Sequence, residues 1–126
     1  MEVATDQVLY NLAHRGIEWD LIPWCRAHSL PIMAYSPVGH DSAEQKRMFS
    51  HPTVKSIASR NDATPAQVAL AWLLRPPDIV AIPKAGRPQH IRENRAALEI
   101  ELTDRDIKEL DKAFPAPDRK IPLEML

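Results

Sequence analysis

Three short apolar runs, at residues 3–10 (VATDQVLY), 30–35 (LPIMAY) and 78–83 (DIVAIP), alternate with stretches of helical spacing. No other feature restricts the fold as much. Strands that carry apolar residues without strict polar alternation suit a parallel sheet buried beneath helices, whereas antiparallel strands tend to alternate cleanly. The expected class is therefore α/β. Helical patterns are read at 17–28, 51–60, 64–75, 88–97 and from 103 onward. Thr64-Pro65-Ala66-Gln67 is the firmest helix start: threonine caps free N–H groups, proline suits the first helical position and Gln67 completes a capping box. Thr103, followed by Asp104 and Asp106, reads the same way. Residues 39–50 read as irregular surface loop, and FPAPDRKIPLEML as a proline-rich tail.

Three strands do not close a barrel. A closed eight-stranded β/α barrel takes about 250 residues, so a single unit spanning residues 1–126 holds about half of one. Both sheet edges would then be open to self-association. Two copies would supply six strands rather than eight, so a closed symmetric barrel would need a different shear.

Composition removes several function classes. Sixteen basic and seventeen acidic side chains give a net charge of -1, which offers no general attraction to nucleic acid. No apolar run approaches the roughly 20 residues that span a bilayer, and MEVATDQVLY lacks a basic segment before an apolar one, so neither membrane insertion nor export is expected. Cys25 stands alone, which fits a reducing, cytoplasmic setting and a buried structural role. Twelve prolines against three glycines leave no glycine-rich phosphate loop, so a nucleotide site here must use side chains and helix ends. The five histidines show no paired ligand motif such as HExxH, and no metal is expected from them. Trp24 and Trp72 fall on apolar helical faces and are expected to pack.

Four segments in order, Gln7-Val8-Leu9-Tyr10-Asn11, Tyr35-Ser36-Pro37-Val38-Gly39, Thr64 to Trp72, and Ile82-Pro83-Lys84 with Arg92-Glu93-Asn94, resemble the carboxy-terminal half of the aldo-keto reductases. That family comprises NADP-dependent oxidoreductases built on a TIM barrel. The resemblance covers essentially the whole chain and implies a partial TIM (β/α)8 barrel: its last three β/α units, a C-terminal helix and the tail. It implies NADP (NADPH) as cofactor and an aldehyde or ketone as the small-molecule substrate once an amino-terminal half completes the barrel. The general-acid tyrosine of the family, with its lysine, aspartate and histidine, belongs to that other half, so no catalytic residue is assigned in this sequence.

The same resemblance distributes the cofactor contacts. It implies Tyr35 as the ring that stacks on nicotinamide, Gln7 as the partner of its carboxamide, and Ser36 with the backbone around Val38 at the pyrophosphate. Lys84 would take the 2'-phosphate, with His90 beside it, while Glu93 and Asn94 would meet the adenine. Each has a plainer reading when taken alone: Tyr35 as rim packing, Gln7 as a satisfied strand amide, Ser36 as a turn hydroxyl, and Lys84 to Arg95 as a solvated helix face. The family frequently has serine at Ala85 and arginine at His90, and both departures weaken NADP selectivity. Arg87 offers a substitute charge. The competing function is a non-enzymatic half-barrel that oligomerises and binds nucleotide or a protein partner.

Overall fold

All three expected strands form, each shorter than the apolar run that encodes it. In the computed structural model, which describes residues 2–126, β1 covers Asp6–Leu9, β2 Ile32–Tyr35 and β3 Ile79–Ala81. They make one parallel sheet in the order β1-β2-β3. The register pairs Asp6 with Ile32, and Ile32 with Ile79. Alternation then sends Val8, Ile32, Ala34 and Ile79 to the helix-covered face, where all four are buried. Gln7, Leu9, Met33, Tyr35 and Val80 share the other face, where Leu9 is buried but Val80 is 48% exposed.

Helices α1 (Leu21–Ala27), α2 (Ser42–Ser50), α3 (Pro52–Arg60), α4 (Pro65–Leu73), α5 (Pro88–Ala96) and α6 (Asp104–Ala113) supply the layer. Helix α4 is the centre of the core: Val68 through Leu73 are six consecutive buried residues, the mark of a helix surrounded on all sides. Val54 and Ile57 of α3 and Leu110 of α6 pack into the same core cluster. Trp72 lies fully buried in it, its ring tilted against that of Tyr10 at 5.7 Å and 4.9 Å from the Arg15 guanidinium. Arg15 grips Glu18 with two hydrogen bonds and donates to Asp111 and to the Phe114 carbonyl, tying the first loop to the end of α6.

Three expectations need correction. Residues 42–50 are helical rather than loop, because Asp41 accepts a hydrogen bond from the Glu44 N–H at 2.7 Å and caps a first turn that also carries the acid Glu44. The single helix expected at 17–28 is a 3-10 turn at Gly16–Glu18 followed by α1, and the break resets the phase of the buried face. Only Ile22 and Cys25, three residues apart, are buried on α1. Trp24 is consequently 54% exposed, stacked on His28 rather than packed in the core. Trp72 and Cys25 are buried as expected. Among the described residues no helix is long and apolar enough to cross a membrane.

Candidate cofactor site

Parallel strands end on one side of a sheet, and the loops that leave those ends are where α/β folds build their sites. Tyr35 is the last residue of β2, half-buried on the face opposite the helix-covered one. Gln7 lies on the same face of the neighbouring strand, since Gln7 pairs with Met33 and Leu9 with Tyr35. Its amide is exposed and free to offer both a donor and an acceptor.

Beyond Tyr35 the chain turns sharply. Ser36 takes a left-handed backbone conformation (φ 49°), and its carbonyl accepts from the Gly39 N–H at 3.1 Å. The same carbonyl accepts from Asn11 Nδ2 at 2.9 Å, while Asn11 Oδ1 accepts from the N–H groups of Ala13 and His14. Asn11 is fully buried and fastens the loop after β1 to the loop after β2. Gly39 has φ 99°, and a Cβ there would meet Gln45 and Glu44 at 3.2 Å, so glycine is required. Ser36 and the half-buried Val38 are therefore presented by a loop held from both sides.

The third element is α5. Lys84 lies in the loop after β3, and His90, Glu93 and Asn94 lie on the helix, with Lys84 and His90 exposed and the other two half-buried. Side chains cap α2, α3, α4 and α6 at their N-termini, but Arg87 at the start of α5 supplies no such bond, and the helix begins with a proline. Its first N–H groups thus have no side-chain partner at the positive end of the helix dipole. Lys84 and Arg87 precede the helix and His90 and Arg92 follow within it, with Arg95 in its last turn, and among the described residues none of these is in an ion pair, whereas Arg15, Arg26 and Arg60 each hold a carboxylate. The Glu93 carbonyl accepts from Gln67 Nε2 at 3.0 Å, and its carboxylate accepts from Gln89 Nε2 at 2.8 Å on the exposed side of the helix.

In the sequence, Asn11 stood out only as the end of the Gln7 to Asn11 segment, with no role of its own. The available signal was an amide immediately after an apolar strand, where a buried polar side chain must find partners. Tyr10 lies buried, with its hydroxyl turned to Glu18, to which it donates at 2.7 Å. Burial together with the Glu18 charge pushes the Tyr10 pKa well above the ordinary tyrosine value.

Comparison with known proteins gives a consistent result. The aldo/keto reductase family model matches residues 1–114. The chain is 42% identical over 125 residues to methylglyoxal reductase YeaE of Escherichia coli, covering 99% of this sequence and 44% of that protein. A probable aldo-keto reductase of Glycine max is 28% identical over 138 residues. An aldo-keto reductase from Klebsiella pneumoniae, solved in complex with NADPH, superposes with a TM-score of 0.93 at 46% identity, covering 98% of this chain and 43% of that one. The chain thus spans less than half the length of these relatives.

Proposed function

This chain belongs to the aldo/keto reductase family, with the three parallel strands of a partial TIM barrel, and from that premise we propose that it is the cofactor-binding part of an NADP-dependent carbonyl reductase. The observation that carries this reading is the N-terminus of α5, which has no side-chain cap and is adjoined by Lys84 and Arg87, neither in an ion pair among the described residues, at the carboxyl end of the sheet, where Tyr35 also lies. A helix N-terminus of this kind attracts phosphate through its free N–H groups and dipole.

Lys84 would hold the 2'-phosphate with His90 nearby, and Glu93 and Asn94 would line the adenine. Ser36 and the backbone at Val38 would face the pyrophosphate. Gln7 would pair with the carboxamide, and the Tyr35 ring would support the nicotinamide face. Bound in this way, the nicotinamide supplies the hydride that reduces an aldehyde or ketone. The role of this chain's residues is to bind and orient. None is assigned as the general acid, which in this reading comes from strands outside the sequence.

Calorimetric titration of the chain with NADPH and NADH tests the assignment. NADPH is expected to bind more tightly, and Lys84→Ala to weaken it by about tenfold, in line with a charge-assisted phosphate contact. Equal affinity for the two nucleotides, or NADPH binding indifferent to Lys84→Ala, would overturn it.

A half-barrel that self-associates is the second reading, and the sheet face opposite the helix-covered one favours it. Val80 and Ile82 are 48% and 39% exposed, and both edge strands lie open among the described residues. Sedimentation separates the readings: a discrete dimer supports the module.

A further inference from the structure

On the body side of the β2 loop, away from α5, lies a polar cluster that the nucleotide reading does not use. Glu44, in the first turn of α2, is 5% exposed, and each of its carboxylate oxygens meets a histidine. His14 Nε2 contacts Oε1, and His40 Nδ1 lies 2.7 Å from Oε2. The remaining ring nitrogens also face carboxylates: His14 Nδ1 is 2.9 Å from Glu124 Oε1 in the tail, and His40 Nε2 is 3.0 Å from Asp41 Oδ2. Asp41 is itself fixed, because its other oxygen caps α2.

Counting donors makes this arrangement informative. Four ring nitrogens face carboxylate oxygens, and an ionised carboxylate only accepts, so the cluster needs four N–H groups. Two neutral imidazoles have two, and the shortfall is met either by protonating both rings or by a metal cation between the histidines and Glu44, which removes the need for the inner pair. Each imidazole then turns a lone pair inward and donates its one N–H to the outer carboxylate, the pattern that orients metal-bound histidines. The geometry points to a binding site for a divalent transition-metal ion of the Zn2+ type, held by His14 Nε2, His40 Nδ1 and Glu44, with Glu124 and Asp41 as the outer partners.

The dimensions suit such an ion. One ligand atom from each of the three residues lies within 4.8 Å of the others. Bonds of about 2.1 Å in a tetrahedron set ligands about 3.4 Å apart, between the present direct contacts and that limit. Two imidazoles and one carboxylate form a borderline-soft set that selects zinc-like ions over Mg2+ or Ca2+, which prefer all-oxygen shells. The His14 and His40 side chains are 24% and 36% exposed, leaving an approach for the ion and a fourth position for water. Two of the ligands come from the loop after β2 and the helix it enters, and the third from the loop after β1. Occupancy would pin those segments together.

The test uses the full chain, stripped with chelator, titrated with Zn2+ by calorimetry and with Co2+ by visible absorption. One Zn2+ per chain and an intense four-coordinate Co2+ band are expected, with no response to Mg2+. His14→Ala and Glu44→Gln should weaken Zn2+ by about 100-fold and Glu124→Gln by about tenfold, while His28→Ala leaves it unchanged. Glu124→Gln removes no core side chain, so it remains informative if a ligand variant loses its fold. Absence of Zn2+ binding, or binding that survives the combined His14→Ala and His40→Ala change, would overturn the site. Neither result bears on NADPH affinity, which is measured separately.

Discussion

Helices α4 and α5 are each nine residues long, each begins with proline and each flanks β3, yet one is core and the other is surface. Helix α4 buries six residues in a row and closes its N-terminus with a reciprocal box between Thr64 and Gln67. Helix α5 buries none, leaves its N-terminus without a side-chain cap and carries unpaired cations. Among the described residues one side-chain hydrogen bond joins the pair, from the Gln67 amide to the Glu93 carbonyl, beside the buried Ala97 that follows α5. Stability and binding are thus assigned to different helices, and the division can be tested.

The largest effect should come from Trp72→Ala, which removes a fully buried ring from the core and is expected to cost about 3–5 kcal/mol in denaturant unfolding. Ile91→Ala on α5, where the side chain is 57% exposed, should stay within about 0.5 kcal/mol. A comparable loss at both positions would erase the contrast.

An exchange of caps gives a smaller, sharper effect. Thr64→Ala should destabilise by about 1 kcal/mol, whereas Arg87→Asp should stabilise α5 modestly by supplying the cap it lacks. The same Arg87→Asp change should weaken NADPH binding, since a carboxylate would then occupy the N–H groups proposed to meet phosphate. Thermal melts and nucleotide titrations on the same variants read both quantities. Gains in stability and affinity together would break the division.

The smallest effect concerns acid. Burial disfavours the charged Asp106 carboxylate, but hydrogen bonds from Arg60, from Thr103 and from Asn61 outweigh that and hold its pKa below the ordinary aspartate value. The folded state therefore binds fewer protons there than the unfolded one. Its contribution is present above the unfolded value near 3.8 and fades as pH falls through the lowered folded value. Asp106→Asn should flatten that acidic limb of the stability profile, as read by denaturant unfolding across the acid range.

Much of this architecture was legible from short-range pattern. The three strands, the Thr64 and Thr103 helix starts and the burial of Cys25 and Trp72 follow from short apolar runs, capping and spacing, which act within one or two turns. Helix α2 was missed because SAEQKRMFS has no clear apolar stripe, although Asp41 followed three residues later by Glu44 was a usable start signal. Trp24 was misplaced because a 3-10 turn ahead of α1 shifts the helical phase, which period counting assumes to be continuous. The cofactor residues were recognised through motifs; their chemistry taken singly admitted plainer readings.

What the sequence determined by itself was the class of fold and the capped starts of α4 and α6, since the capped starts depend on backbone groups satisfied by neighbours a few residues away. Tertiary structure decided which polar groups meet. Asn11 reaches the Ser36 carbonyl, Arg15 joins Asp111 and Phe114, and His14 lies between Glu44 and Glu124. Those partners are 25 to 110 positions apart. Contacts over such separations have no period to read, and they arise only when a parallel sheet brings its loops to one end and a tail folds back across them.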